Sequence, residues 1–355
     1  MSQPERDPRP VDEVIESEGV ARAIGLKYVA SLLYTYRCNL ACKHCLFNCG
    51  PHQPEVYASH EDGLEFLRQL HATDRAIHIA GGEALLHYDE VLKLCRAANE
   101  EGVAPHFIES NAKWCEDDSI TRHRLTELKE AGVKGMLFSA DPYHQVFFSP
   151  SNRVRAFQIA DEVFGRENIA ASDISLVELQ KLKQIGRDQV QLADYVRKHQ
   201  PRMVGRAGNH LAGFLPDRSL ADLTDDSLWH GAHSGENCAR EFDPETMWEI
   251  HIDPYGNIQT CCGIIVGNAH ETPLPELMAK GFHTEMVRQV YERGPFGLLE
   301  LAVEKGYQPL SGYAQKCHLC WEVRKFLRPW YPEAFGPAEI YEAPARERGI
   351  GSNAE

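Results

Sequence analysis

Short apolar stretches alternate with amphipathic helical patterns along much of the chain. The stretches of strand length cover residues 28–36, 76–80, 105–110, 135–140, 169–176 and 202–207. Helical patterns with one apolar face lie between them, at residues 61–71, 88–101, 119–131, 152–164 and 193–199. Strands and helices that alternate with short connections form a parallel sheet covered by helices. Six such units are fewer than the eight of a closed barrel, so the pattern predicts an α/β fold, a partial (β/α)6 TIM barrel.

The pattern changes near residue 225. Two apolar stretches at 247–252 and 258–262, separated by a turn with proline, glycine and asparagine, indicate a β-hairpin. Helical patterns follow at about 283–293, at about 296–305 and from Cys317 to Leu327. We therefore expect four segments: an N-terminal arm with at most two helical turns (1–27), the partial barrel (28–225), a C-terminal α+β domain (226–332) and a loosely held tail (333–355).

Composition and charge restrict the class of protein. The chain has 355 residues, of which 43% are hydrophobic and 25% charged, as in an ordinary globular protein. Its formal charge of −15 repels phosphate, which argues against nucleic acid and anionic membranes as partners. No apolar run reaches about 18 residues, and the polar N-terminus does not resemble a signal peptide. We therefore expect a cytoplasmic protein that does not span a membrane.

The eleven cysteines fall into two groups. One group lies early, at Cys38, Cys42, Cys45 and Cys49, and the other lies late, at Cys238, Cys261, Cys262, Cys317 and Cys320. Clustered cysteines in a reducing cytoplasm are more often metal ligands or catalysts than disulfides. Cys95 and Cys115 stand apart in apolar surroundings, as buried, inert thiols do.

The first group has the spacing C-x3-C-x2-C and follows the first predicted strand directly. Three thiolates on one loop can hold three irons of a 4Fe–4S cluster and leave the fourth iron open. An open iron can chelate the amino and carboxylate groups of a methionine-like ligand. From these residues alone a zinc site is the alternative, with Cys49 or His44 as a fourth ligand. Cys49 is otherwise a spare thiol near the site.

This loop resembles the signature of the radical S-adenosylmethionine (radical SAM) superfamily. Further positions fit that family in the expected order, each after a predicted strand: Gly81-Gly82-Glu83, Ser110-Asn111, Ser139-Ala140-Asp141 and Gly205-Arg206-Ala207. The family's Gly-Gly-Glu motif contacts the SAM amino group, and Ala84 departs from the proline that many relatives have next. Glycines also allow close backbone approach, and a carboxylate suits an ammonium group.

The resemblance implies further SAM contacts. It assigns Ser110 and Asn111 to the family's positions near the ribose, and Arg206 and Ala207 to the segment that lines adenine and ribose. Ser139, with Asp141, resembles the family's Ser-x-Asp step and is a further candidate SAM contact. His44, one residue before the third cysteine, takes the place that packs on adenine. Arg153 is the candidate partner of the SAM carboxylate, and a solvated arginine at a helix start is its alternative interpretation.

The resemblance also implies the chemistry. A low-potential donor such as flavodoxin or ferredoxin would reduce the cluster, which would cleave SAM to methionine and a 5′-deoxyadenosyl radical. That radical would abstract hydrogen from the substrate, and the protein's share is positioning and shielding. Tyr143 and His144 follow the fourth predicted strand on the same face. They could contact the substrate, but we favour satisfied loop residues.

The late cysteines resemble the auxiliary-cluster region of SPASM and twitch radical SAM enzymes. Cys238, Cys261, Cys317 and Cys320 would hold a second 4Fe–4S cluster, and no cysteine follows Cys320, which favours the shorter twitch form. Four thiolates would close its coordination and suit an electron relay. Cys262 is the alternative to Cys261, because adjacent strand residues face opposite ways. A structural zinc site with four cysteines stays open from spacing alone.

Three functions remain at this stage. Modification of a peptide or protein by hydrogen abstraction is favoured, and oxidation or rearrangement of a small molecule, such as a sugar-like alcohol, is the alternative. A non-catalytic iron–sulfur protein is the third. The 27 residues before the first predicted strand are too few for a leader-peptide or cobalamin domain. The sequence leaves open the substrate, the bond changed, whether SAM is recycled, and the oligomeric state.

Overall fold

The computed structural model of the chain describes residues 6–224 and 238–342. Residues 1–5 of the predicted arm, the predicted domain boundary at 225/226 and residues 343–355 of the predicted tail lie outside these ranges. The proposed ligand Cys238 is the first residue of the second described range.

One sheet of seven strands organises the described residues, in the order β4-β3-β2-β1-β5-β6-β7. The strands are β1 (Val29–Leu33), β2 (Ala76–Ala80), β3 (Phe107–Ser110), β4 (Gly135–Phe138), β5 (Glu249–Ile252), β6 (Asn257–Cys261) and β7 (Ile264–Asn268). Strands β1 to β4 pair in parallel, and β5 pairs in parallel with β1. Strands β5, β6 and β7 are antiparallel neighbours. The sheet therefore runs without a break from the predicted barrel into the predicted C-terminal domain.

Helices cover this sheet and connect its strands. In the first described range they are α1 (Val11–Glu18), α2 (Val20–Lys27), α3 (His60–His71), α4 (Tyr88–Glu100), α5 (Asp118–Glu130), α6 (Pro142–Gln145), α7 (Pro150–Phe164), α8 (Leu176–Arg187), α9 (Gln189–His199) and α10 (Gly205–His210). In the second they are α11 (Cys238–Glu241), α12 (Leu274–Lys280), α13 (Glu285–Arg293), α14 (Pro295–Glu304), α15 (Lys316–Leu327) and α16 (Ala338–Tyr341).

Alternate strand residues face the helices and form the main core. Leu32 of β1, Ile77 and Ile79 of β2, Ile108 of β3 and Ile250 of β5 are all buried in this core. Because side chains alternate across a strand, the intervening residues face the interior of the curved sheet. An α/β fold with a parallel-sheet core, consistent with the predicted partial barrel, is confirmed.

The N-terminal segment is more ordered than an arm with at most two helical turns, and that expectation is wrong. Helices α1 and α2 have eight residues each. Their apolar residues, including Val14 and Val20, pack with Val29, Ala76 and Phe107 at the starts of three strands. Apolar side chains at helical spacing thus close the lower end of the sheet, a pattern hidden in the sequence by the polar residues around it.

The fifth and sixth predicted strands do not form as strands in the described residues. Ile169 makes an isolated parallel bridge with Met136. Ser175 then starts α8, because its side chain and that of Glu178 make a capping box in which each accepts from the other's backbone N–H. Residues 202–207 likewise end in helix α10, which begins at Gly205. A strong helix start thus overrides strand propensity at Ser175, whereas α10 begins after Val204 without a side-chain cap.

The C-terminal hairpin is confirmed, and one strand beyond it was not predicted. Strands β5 and β6 pair around the turn at residues 253–257, where Asp253 accepts from the backbone N–H groups of Tyr255 and Asn257. Strand β7 then adds to β6. Helix α15 begins at Lys316, so Cys317 and Cys320 lie on its first turns. Among the described residues, no helix has the length and apolarity needed to cross a membrane.

Candidate active site

A cavity of about 280 Å³ opens at the carboxyl ends of strands β1 to β4. Nine of the predicted site residues line it: Cys38, Cys42, His44, Cys45, Gly81, Gly82, Ser110, Asn111 and Ser139. Barrel enzymes place their reacting groups at this end of the strands. Glu109, His144, Glu249 and His251 also line the cavity. Sequence reasoning had not singled out Glu109, Glu249 or His251; only Glu109, a carboxylate inside the third predicted strand, gave a usable signal.

The first three cysteines lie on a loop of residues 38–49, called here the cysteine loop. Cys38 and Cys42 are buried, and Cys45 is half-buried. The Cys38 sulfur accepts from the backbone N–H of Leu40 at 3.4 Å, and the Cys45 sulfur from that of Cys49 at 3.2 Å. N–H donors aimed at sulfur stabilise a thiolate, which is the form that binds metal. These thiols therefore fit a cluster held by three cysteines.

The Cys45 and Cys49 thiols form a hydrogen-bonded pair. That bond, helped by the nearby Arg206 guanidinium, lowers the pKa of Cys45, while it raises the pKa of Cys49 together with burial. Burial raises the pKa of both Cys38 and Cys42. Without a bound cation these two thiols are therefore neutral near pH 7.

The Arg206 side chain stabilises the cysteine loop through hydrogen bonds to its backbone. Its guanidinium donates to the carbonyl oxygens of Cys42 at 3.1 Å, Asn48 at 3.0 Å and Cys49 at 2.8 Å. Its backbone N–H donates to the Cys45 carbonyl at 2.9 Å. Arg206 and Ala207 do not line the cavity. In this structure the Gly-Arg-Ala segment thus shapes the loop.

The two glycines after β2 allow the cysteine loop to pack against that strand end. A Cβ on Gly82 would lie 2.0 Å from the Arg37 carbonyl oxygen, and one on Gly81 would lie 2.6 Å from that of Thr35. The N–H of Gly82 donates to the Thr35 oxygen at 2.7 Å. Only glycine fits this close backbone approach.

Glu83 ties the end of β2 to the end of β3. Its carboxylate accepts from the Ser110 hydroxyl at 3.0 Å and from the Asn111 backbone N–H at 2.8 Å. Burial raises the pKa of Glu83 to about 7, although these bonds oppose the shift. The carboxylate does not line the cavity, so it positions Ser110 and Asn111, which do.

His44 lies in an aromatic stack at the cavity wall. Its ring is 4.4 Å from that of Tyr143, nearly parallel, and 5.0 Å from that of His144, edge-on. Burial lowers the pKa of His44 to about 4, so the imidazole is neutral near pH 7. Its Nδ1 is buried and makes no hydrogen bond. A flat, neutral ring with an open acceptor or donor suits contact with a nucleobase.

Asp141 holds His144 beside Cys42. The carboxylate caps α6 by accepting from the N–H groups of Tyr143 and His144, and it lies 2.6 Å from His144 Nδ1. Asp141 and Cys42 raise the pKa of His144 well above its usual range. Tyr143 is buried with a hydroxyl that has no partner. His144 is therefore a site residue in this structure, whereas the sequence favoured an ordinary loop residue.

Arg153 lies away from the cavity. The side chain is buried between the rings of Phe138 and Phe157 and donates to the Ser172 carbonyl at 3.1 Å. Burial lowers its pKa to about 10. It is therefore not the solvated arginine that was the alternative interpretation, and it does not line the cavity.

The late cysteines converge from three separate segments. Burial and the neighbouring thiols of Cys320, Cys317 and Cys261 raise the pKa of Cys238 well above its usual range. Arg324 lies beside the group, makes a hydrogen bond with Cys320 and donates to the Cys262 carbonyl at 2.7 Å. A buried guanidinium next to thiols favours their anionic form.

Cys261 is the last residue of β6, whereas Cys262 lies in the turn before β7, so strand alternation does not decide between them. The Cys261 thiol is a near neighbour of the Cys238 and Cys317 thiols, whereas Cys262 is buried in the cluster that contains Cys49 of the cysteine loop. This arrangement favours Cys261 over Cys262 as a ligand of the second site.

Sulfur spacing bears on the choice of metal. Across the two described ranges, no three cysteine sulfurs lie within 4.8 Å of one another. Tetrahedral zinc with Zn–S bonds near 2.3 Å would hold them roughly 3.8 Å apart. The Cys42 sulfur and one ring nitrogen each of His44 and His144 do lie within 4.8 Å of one another, as the ligands of a three-ligand metal site would. The sulfur spacing thus favours an iron–sulfur cluster over a single zinc ion at the second site. At the first site the spacing is compatible with either.

Comparison with known proteins decides the first site's family. The model of the radical SAM superfamily matches residues 32–160, which contain the cysteine loop and strands β2 to β4. No curated protein matched the chain.

Two solved structures resemble the chain weakly. BtrN in complex with AdoMet and 2-DOIA has 16% identity and a TM-score of 0.40, over 74% of this chain and 85% of that one. Native anSMEcpe with bound AdoMet and Cp18Cys peptide has 12% identity and a TM-score of 0.41, over 86% and 96%. Likenesses this low carry no argument about function. The family match nonetheless shows that the chain contains a radical SAM domain over residues 32–160, and enzymes with this domain use a 4Fe–4S cluster and S-adenosylmethionine.

Proposed function

We propose that Cys38, Cys42 and Cys45 hold the SAM-binding 4Fe–4S cluster in this cavity. The observation that carries the proposal is that all three thiols line one cavity together with Gly82, Asn111 and Ser139, which follow strands β2, β3 and β4. When bound, the cluster and SAM supply a 5′-deoxyadenosyl radical that abstracts hydrogen from the substrate. The proposal includes the predicted SAM contacts that line the cavity, with His44 for the adenine: Gly81, Gly82, Ser110, Asn111 and Ser139.

The chain's own residues hold and shield this chemistry. Arg206 and the two glycines fix the cysteine loop, as described above. Asp141 keeps a proton on His144 Nδ1, and the His144 side chain in turn faces Cys42. Leu33, Leu46 and Phe47 line the same cavity and exclude water around it. We further propose reduction by a flavodoxin- or ferredoxin-like donor in the reducing cytoplasm.

A second 4Fe–4S cluster is proposed at Cys238, Cys261, Cys317 and Cys320. Its support is the mutual proximity of these thiols, of which Cys320 is buried and the other three half-buried, and the guanidinium of Arg324 beside them. With four thiolates the coordination is closed, so the cluster would relay electrons instead of binding substrate. We assign it to a twitch-type domain over residues 226–332, after a barrel over 28–225.

We propose a peptide or protein as the substrate class. The cavity must also hold the cluster and SAM, so its volume of about 280 Å³ does not set the size of the substrate. The class rests on the resemblance of the late cysteines to those of SPASM and twitch enzymes, many of which modify peptides; oxidation or rearrangement of a small molecule is the second candidate.

A fractionation experiment separates the two classes. Anaerobic enzyme with SAM and dithionite gives a basal rate of 5′-deoxyadenosine formation, and fractions of a cell extract are added to find one that raises it. Loss of the stimulation after protease treatment of the fraction supports a peptide. A protease-resistant stimulating fraction of low mass contradicts it and supports the small molecule.

A further inference from the structure

Inward-facing strand residues form layers inside the curved sheet. The lowest layer is apolar, with Val29, Ala76 and Phe107 packed on α1 and α2. Polar side chains from four adjacent strands also face inward: Ser31 pairs in register with His78 and His251, Glu249 starts β5 beside Val29, and Glu109 follows the pair of Ile79 with Ile108. We call these five residues the polar layer. Barrel interiors are usually filled with branched apolar side chains. A polar layer beneath the cavity therefore needs a function.

The side chains of this polar layer converge on each other. Glu249 lies between two imidazoles, with its Oε1 3.4 Å from His78 Nε2 and its Oε2 3.7 Å from His251 Nε2. Glu109 Oε2 lies 4.0 Å from the same His78 nitrogen. Glu109, Glu249 and His251 line the cavity, and the two glutamates keep 43% and 31% of their side-chain exposure there.

Three polar atoms of this layer have no hydrogen-bond partner. They are the Ser31 hydroxyl and the Nδ1 atoms of His78 and His251, in residues that are 0%, 3% and 5% exposed. Buried polar atoms in native proteins are normally paired, and an exception points to a missing ligand or water. Because His251 lines the cavity, its unpaired nitrogen is available to a molecule bound there.

The charges of this layer favour a cation. Burial lowers the pKa of His78 to about 3 and that of His251 to about 4, so both imidazoles are neutral near pH 7. Burial and the neighbouring Glu249 raise the pKa of Glu109 to about 7. Two cations lie nearby, and both are paired: the His144 imidazolium with Asp141 at 2.6 Å, and the Arg202 guanidinium near His251 with Glu241 at 2.9 Å. A bound cation would restore the ionised form of Glu109.

From this geometry we infer that Glu109, Glu249 and His251 bind an alkylammonium group of the substrate. The inference rests on the proposed function, because it places the amine beneath the reacting centre of that enzyme. The carboxylates accept from the ammonium N–H groups, and the His251 imidazole adds a third contact. A lysine side chain of a peptide and a small primary amine share this chemistry.

Binding of matched probes tests the inference without turnover. Cyclohexylamine and cyclohexanol form the small-molecule pair, and the N-acetyl, N-methylamide derivatives of lysine and norleucine form the peptide pair. Ligand-observed NMR measures their affinities for anaerobically reconstituted protein with SAM. In each pair we expect binding of the amine at least about tenfold tighter, since charge-assisted bonds are stronger than neutral ones. If the lysine derivative binds more tightly than cyclohexylamine, the ammonium group belongs to a peptide; the reverse order assigns it to a small amine.

Glu109→Gln and Glu249→Gln should each abolish the preference for amines while SAM affinity stays within about twofold. Glu130→Gln, at the exposed end of α5, is the matched control and should retain it. Iron content and circular dichroism show whether each variant is folded. If one of the two variants fails to fold, the other still gives the test.

Equal binding of amine and neutral probe by the wild type overturns the inference. So does an equal loss of SAM affinity, which would assign the carboxylates to SAM. A failure to form 5′-deoxyadenosine overturns the proposed function and leaves these affinities readable.

Discussion

The two cysteine groups are built in different ways. The first lies within one loop of residues 38–49, which follows β1 directly and is held by backbone carbonyl contacts to Arg206. The second assembles from α11, the end of β6 and the first turns of α15, which are far apart in the chain. A local loop can present its thiols once β1 and its neighbours have formed, whereas the second group needs the whole C-terminal fold. The two sites should therefore respond independently to mutation.

Removing the second group is the most severe way to test this independence. In Cys317→Ser/Cys320→Ser, iron should fall from about eight to about four per chain, given four irons per cluster. Basal 5′-deoxyadenosine formation should persist, because the cysteine loop does not depend on these thiols. Iron analysis and chromatography of the nucleoside measure both. Loss of nearly all iron in a folded protein would show that the two sites are one cooperative unit.

The choice between Cys261 and Cys262 can be tested within the second group. Cys261→Ser should lose about four irons, whereas Cys262→Ser should keep about eight, because Cys261 is the one that neighbours the Cys238 and Cys317 thiols. Cys262 serves as the matched control one residue away. The reverse pattern would assign Cys262 as the ligand.

The brace on the first loop should matter only for the first site. Arg206→Ala removes the donor of three carbonyl contacts and should lower the free energy of unfolding by about 3 kcal/mol. Iron should be lost preferentially from the first site, which denaturant titration and iron analysis can follow. Arg206→Lys keeps the charge but loses the planar guanidinium with its several donors. Its stability and its iron content at the first site should therefore lie between those of the wild type and Arg206→Ala. An unchanged first site in Arg206→Ala would contradict the brace.

Arg153 should give the smallest effect. Because it lies between Phe138 and Phe157 outside the cavity, Arg153→Met should change SAM affinity by less than about twofold and cost about 1 kcal/mol of stability. Equilibrium binding of SAM checks the first value and thermal unfolding the second. A tenfold loss of SAM affinity in a folded variant would restore the SAM-carboxylate role that the sequence suggested.

Much of this molecule could be predicted because its signals are local. Strand β2 was predicted at its observed bounds, since an apolar run ends there at two glycines. The cysteine spacing and the strand-end positions likewise come together at one cavity. Radical SAM chemistry was predicted from these motifs, and the family match confirms it.

The rest depended on contacts between distant residues. The fifth strand failed because the capping box at Ser175 starts a helix that propensity had not weighed. The N-terminal helices α1 and α2 form because their apolar faces cover three strand starts, which only the folded sheet provides. The polar layer was missed since His251 and Glu249 reach the cavity through the pairing of β5 with β1. No spacing in the sequence encodes that pairing.

The measurement that tests the central claim most directly is 5′-deoxyadenosine formation by Cys42→Ala. Both proteins would be reconstituted anaerobically with iron and sulfide, then given SAM and dithionite. The wild type should form 5′-deoxyadenosine, and the variant should form none while it keeps about four irons at the second site. A variant with the iron content and the nucleoside yield of the wild type would contradict the assignment of the first cluster.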